Sequence, residues 1–186
     1  FAETTEDQLL EIILNELRPD TRMLMLSHIV TMNGTILPIE RIGDETRKRG
    51  ILFAVDGAHA PGGISLDFQQ LHSVDYYGGN LHKWVMGPKG TAFGWIHPDR
   101  IEALKPLRYG WTTDEIPAQF HGFAEGKPHT SKFLLTGCNQ FSSYFALKEV
   151  FQFWSDLGPE LIRSKLSELQ EYTLELAQSQ LQCHHH

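Results

Sequence analysis

Leu9, Ile12, Ile13 and Leu17 recur at helical spacing in the stretch TTEDQLLEIILNEL. Apolar residues three and four apart line one face of a helix, so this stretch predicts an amphipathic helix. Thr5 and Gln8 form the pattern of a capping box at its start, and Arg18-Pro19 ends it. RMLMLSHI follows as a continuous apolar run, which predicts a strand buried on both faces. Pro38 then opens PIERIGDETRKRG, where Ile39 and Ile42 share a face and Gly50 marks the stop of a second helix. ILFAVDGAHA is another continuous apolar run and predicts a second buried strand. FQQLHS is a helical turn at most, VDYYGG a short strand, TAFGWIH a further strand closed by Pro98, and DRIEAL a short helix leading to Pro106. Residues 108–130 mix Gly, Pro, His and aromatic residues without a period, which predicts a long irregular segment. FSSYFALKEVFQFWSDLG predicts one helix ending at Gly158. Pro159 starts the last helix, with Leu161, Ile162, Leu166, Leu169, Thr173 and Leu176 along one line.

Apolar strands alternating with helices argue an α/β fold with a mostly parallel sheet flanked by helices. The length, 186 residues, fits one domain with a core of useful size. No apolar stretch approaches the roughly 20 residues that span a bilayer, so no membrane partner is expected. A net charge of -7 argues against non-specific nucleic-acid binding. The only two cysteines, Cys138 and Cys183, do not suggest a disulfide framework, and FAETTEDQ has neither the basic nor the apolar part of a signal peptide. A cytoplasmic location is the expectation. The closing CHHH reads as the remnant of a purification tag over residues 184–186 rather than as a metal site, and no metal is expected.

Two residues depart from the pattern. Asp56 follows ILFAV directly, at the carboxyl end of a strand, where open α/β sheets bind ligands. It is either a ligand contact or the cap of the next turn. Gly57 and Ala58 leave room for a flat ligand, and His59 is a second contact or a structural histidine. Lys83 also lies beyond a strand, between His82 and Trp84. Neighbours that keep water away lower the pKa of a lysine and free its amine as a nucleophile. The alternative is a lysine whose stem covers Trp84 while its head reaches water. Taken together, a buried carboxylate and an activated lysine at two strand ends suit pyridoxal phosphate. The amine forms an imine with the aldehyde, and the carboxylate keeps the ring nitrogen protonated. Asn80, His82 and the N–H groups of a Gly-rich turn suit the phosphate. Gly78 and Gly79 give a bulky cofactor room, and Trp84 is the wall expected to dry the site.

VDGAHAPG and DYYGGNLHKWVMGPKGTAFGWI resemble the aspartate and lysine blocks of class V aminotransferases, pyridoxal-phosphate enzymes of fold type I. The Asn-x-His-Lys-Trp block is most similar to isopenicillin-N-epimerase-like members, with cysteine desulfurases more distant. LSHIVTMNGTILPIERI and LLTGCNQFSSYFAL resemble the family's preceding strand and its later Thr-Gly-Thr block, so the likeness covers about residues 22–150. The resemblance implies that Lys83 carries the Schiff base, Asp56 pairs with the pyridine nitrogen and His59 bonds the ring hydroxyl. It implies that Asn80 and His82 hold the phosphate. Thr31 stands where desulfurases have an Asn near the ring hydroxyl. Cys138 stands where the family has a Thr that reaches the partner subunit's phosphate, and Asn139-Gln140 replace an Arg-Asp.

By this resemblance, residues 1–153 are the second half of a cofactor-binding large domain, and 154–183 a linking helix toward a small domain. A fragment is expected, since the family runs to roughly twice this length and the chain does not open on Met. The implied function is a pyridoxal-phosphate enzyme acting at Cα of a small amino-acid substrate, as epimerase, aminotransferase or C–S lyase, and a homodimer. Its rivals are a cysteine desulfurase and, from another class, a non-catalytic truncated paralogue or partner subunit. Cys138 reads as a packing residue rather than a nucleophile. Trp111, His121 and His129 line either a substrate entrance or a surface loop.

Overall fold

A computed structural model describes residues 4–107, 130–133 and 140–181. Helix α1 (Glu6–Asn15) starts on Thr5, whose hydroxyl accepts from the Gln8 N–H while the Gln8 side chain accepts from the Thr5 N–H. The capping box predicted from sequence is therefore formed. β1 (Met23–Ser27), α2 (Ile39–Lys48), β2 (Leu52–Gly57), β3 (Tyr76–Asn80) and β4 (Ala92–Ile96) follow. The sheet order is β1-β2-β3-β4, with β1, β2 and β3 parallel and β4 antiparallel to β3. The described residues after β4 form α3 (Pro98–Ile101), a 3-10 turn at Ser131–Phe133, α4 (Ser142–Phe145), α5 (Leu147–Leu157) and α6 (Pro159–Leu181). The fold is α/β with a mostly parallel sheet, as the strand pattern predicts.

One face of this sheet holds the core. Phe53, Val55 and Tyr77 point into a cluster with Leu37, Ile39 and Ile42, and Leu9, Leu10 and Ile13 of α1 pack against it. Strand side chains alternate between faces, so the neighbours of these residues form the other face. That face is open: Met23 and Met25 of β1 are 51% and 66% exposed. The expectation of a strand buried on both faces is corrected here: among the described residues β1 is covered on one face, where Leu24 and Leu26 pack against the core. The single helix read over FSSYFALKEVFQFWSDLG is corrected too. It is interrupted at Ala146, where α4 ends, and α5 then runs to Gly158 at φ +82°.

Tyr77 organises the core side of the strand ends. Its ring fills the space a side chain at Gly57 would need, since a Cβ there would lie 2.1 Å from the ring. Its hydroxyl and His28 Nδ1, 2.9 Å apart, form a hydrogen bond in the interior. Burial holds the His28 pKa down at about 4, so the imidazole is neutral at pH 7. Burial first, and then the charge of Asp56, raises the pKa of Tyr77 and keeps its hydroxyl protonated.

This buried imidazole predicts an acid weakness. The unfolded chain takes up a proton at His28 near pH 6.5 and the folded chain only near 4. Stability is then fully present above pH 6.5 and falls by roughly 3 kcal/mol as pH drops to 4. His28→Gln keeps a polar partner for Tyr77 but has no proton to gain. Urea midpoints followed from pH 7 to 4 are expected to fall more steeply in the unsubstituted chain, and equal slopes would refute the assignment.

Candidate functional site

The parallel register places Ser27 beside Asp56 and Asp56 beside Gly78, and the antiparallel pairing of β4 places Gly94 beside Gly78. This row runs across the open face at the carboxyl ends of β1, β2 and β3. A Cβ at Gly78 or Gly94 would meet nothing within 4 Å. The row is thus a flat strip of backbone with one carboxylate standing on it. Asp56 and Asn80, with Met25 and Tyr76, help line a depression of about 350 Å³ over the strip. Gly79 has another purpose. A Cβ there would lie 2.4 Å from the Phe93 ring, so its bareness serves packing and gives a ligand no room.

Asp56 is exposed, which corrects the expectation of a buried carboxylate. One of its oxygens, Oδ1, accepts from the Ala58 N–H at 2.9 Å, the turn-capping contact weighed as the alternative for this residue. The other carboxylate oxygen is open to a further donor.

Two loops carry the remaining groups. His59 follows β2, and Lys83 follows β3. Lys83 Nζ and His59 Nε2 are 3.1 Å apart, and both side chains are half-buried. The loops touch because Gly62, at φ +84°, has no side chain. A Cβ there would lie 2.9 Å from the Trp84 carbonyl carbon and the Val85 nitrogen. Trp84 itself is 50% exposed. The contact recorded for the Lys83 amine comes from the His59 loop. The His82 Nδ1–H donates to the Thr91 carbonyl at 3.0 Å, which fixes the ring and turns Nε2 outward from that bond. Thr31 stands in an exposed turn just beyond β1, on the same edge of the sheet.

The structure therefore brings Lys83 to His59, and sets Asp56 and Asn80 on one depression. Cys138, Trp111, His121 and His129 lie outside the described residues, as do 184–186. Among the described residues no cluster of His, Cys, Asp or Glu could hold a metal, and no helix is long and apolar enough to cross a membrane. A larger cleft of about 460 Å³ is lined by both loops and by α5 and α6. Its walls are mostly apolar and include none of the candidate groups, so the chemistry is assigned to the strand ends. Sequence reading missed His28 and Trp154. His28 offered no motif, and only the rule that a buried indole N–H seeks an acceptor could have flagged Trp154.

Comparison with known proteins places these observations. The chain matches the family model described as aminotransferase class-V over residues 2–185. It is 34% identical to isopenicillin N epimerase of Streptomyces clavuligerus over 163 residues, which are 85% of this chain and 40% of that protein. It is 40% identical to a cysteine desulfurase of Pseudomonas fluorescens over 92 residues, 48% of this chain and 22% of that one. Among solved structures it resembles a lysine mutant of C-DES with glycine covalently linked to its PLP cofactor. The TM-score is 0.78 at 27% identity, covering 92% of this chain and 45% of that one. The chain thus spans less than half the length of the relatives it matches.

The two faces of the strand ends predict opposite responses to one added methyl group. Gly57→Ala forces a Cβ into the buried Tyr77 ring and is expected to cost about 2–3 kcal/mol. Gly78→Ala enters open space and is expected to change stability by less than about 0.5 kcal/mol. Urea unfolding of both variants measures the contrast, and similar losses would show that the strip is not open.

Proposed function

The chain belongs to the class V aminotransferase family, and from that premise we propose that the protein carrying it is a pyridoxal-phosphate enzyme acting at Cα of an amino-acid substrate. The observation that carries this reading is the 3.1 Å approach of Lys83 Nζ to His59 Nε2, one strand away from the Asp56 carboxylate. The donor set fits the cofactor: an amine for its aldehyde, a carboxylate with a free oxygen for its ring nitrogen, and an amide and an imidazole for its phosphate. Pyridoxal phosphate, when bound, supplies a ring that takes up the electron pair left at Cα when a proton departs.

Each residue then has a defined part. Lys83 would hold the cofactor through Nζ and, as a free neutral amine, would move the Cα proton with the same atom. His59, in contact with that nitrogen, aims it and bonds the ring hydroxyl. Asp56 keeps the ring nitrogen protonated through the oxygen that Ala58 does not use. Asn80 and His82 hold the phosphate, and Thr31 closes the ring-hydroxyl side from the turn after β1. A proton returned to the opposite face of Cα would give epimerisation, one returned at the cofactor carbon would give transamination, and loss of a sulfur group from Cβ would give C–S cleavage. The likeness to isopenicillin N epimerase supports the epimerase-like branch. A homodimer in the cytoplasm belongs to the same proposal.

The test uses the full-length protein mixed with pyridoxal phosphate and reduced with borohydride. A mass increment on the Lys83 peptide, absent in Lys83→Ala, is expected. Asp56→Asn is expected to keep that attachment and lose turnover by about a hundredfold or more. Product analysis over a panel of amino acids then reads an epimer, a keto acid or a released sulfur species. Persulfide and alanine from cysteine would move the assignment to a desulfurase. No increment on the unsubstituted protein would overturn the enzyme reading in favour of a non-catalytic chain.

A further inference from the structure

Lys83 is the first residue of a tight turn closed by the Met86 N–H on the Lys83 carbonyl at 3.0 Å. The turn is not held by the side chains beside the lysine, since Trp84 and Met86 are both at least half exposed. Met86 has φ +63°, which a non-glycine residue keeps only where its surroundings impose it. The restraint comes from beneath. Val85 is buried with Leu81, Leu147 and Trp154, and the Trp154 indole N–H donates to the Val85 carbonyl at 2.9 Å. Leu147 and Trp154 lie seven residues apart, on one face of α5. Leu147 presses on the neck of the same loop, where the Gly87 N–H donates to the Leu81 carbonyl at 2.7 Å.

We infer that Trp154 is a positioning residue for Lys83: through the Val85 carbonyl it fixes the turn from which the amine projects. A phenylalanine would fill much of the same space. Only the indole also grips the backbone, two residues from the lysine, and so sets the turn rather than merely burying it. The second arm of the test rests on the proposed function, and the first does not.

Trp154→Phe removes the donor and keeps most of the packing. Hydrogen exchange on the full-length protein is expected to quicken about three- to tenfold at the Met86 and Gly87 amides and to stay unchanged at Val55 and Tyr77. Ile162→Val trims the same apolar cluster and touches no hydrogen bond, so it is expected to leave those loop amides unmoved. Should Trp154→Phe fail to fold, 3-benzothienylalanine at position 154 keeps the bicyclic ring without the N–H and gives the same readout. In the second arm, the rate of borohydride-trapped labelling of Lys83 by pyridoxal phosphate, relative to Lys89 in the same loop, is expected to fall several-fold. Loop amides that respond no more to losing the donor than to Ile162→Val would overturn the inference. Quickened amides in a protein whose Lys83 never takes the cofactor would uphold it and sink the proposed function alone.

Discussion

The Asp75 carboxylate is 2% exposed and accepts from two directions, the Phe53 N–H of β2 at 2.8 Å and Arg100 Nε of α3 at 2.6 Å. The Asp75 N–H also donates to the Phe53 carbonyl, and its carbonyl accepts from the His97 N–H beyond β4. A buried charge is tolerated only while both its oxygens are paired. One residue therefore ties β2, β3 and α3 at the start of β3, far from the chemistry. A slip of one residue would unpair that charge and turn every side chain of β3 over. Tyr77 would leave the space at Gly57 and its bond to His28, and Asp56 would no longer stand beside Gly78. The candidate site is where it is because this register cannot move cheaply.

With the register fixed, the two faces of the sheet take different tasks. The core face spends its side chains on packing: Tyr77 fills the gap at Gly57, and Phe93 fills the one at Gly79. The other face carries a carboxylate on bare backbone, beside Met23 and Met25. The continuous apolar run of β1 fits a strand covered on both sides, while the described residues cover only one.

Much of the fold was legible in the chain. Thr5 with Gln8, Gly50, Gly158 and Pro159 are local signals, and each marks a boundary in the structure within a residue or two. The positions of Asp56 near the end of one strand and of Lys83 beyond another were legible for the same reason. Exposure was not, because burial at Asp56, Met25 and Trp84 depends on what packs there and not on the residue. The break at Ala146 carries no glycine or proline to announce it. The approach of His59 to Lys83 was hidden in Gly62, whose need is visible only once the Trp84–Val85 backbone lies against it. The turn of β4 against β3 was within reach. The eleven residues from Leu81 to Thr91 carry no helix, and a parallel crossover needs a dozen or more residues.

Asp56 and Lys83 are held by different means, and the difference matches the tasks proposed for them. A group that only keeps a ring nitrogen protonated stays in one place, and a strand inside a four-stranded ladder provides that. A group that attaches, releases and then moves a proton must swing, so it belongs on a long side chain outside the ladder. Its base must still be fixed, because misplacement of an ångström at a reacting atom costs orders of magnitude in rate. A flexible amine on a rigid turn satisfies both demands. The rigidity is assembled from neighbours rather than from the loop's own sequence: Gly62 admits the His59 loop from one side, and α5 presses Leu147 and Trp154 from the other. Because α5 runs through Gly158 directly into the 23 residues of α6, whatever moves those helices also bears on the turn that holds Lys83.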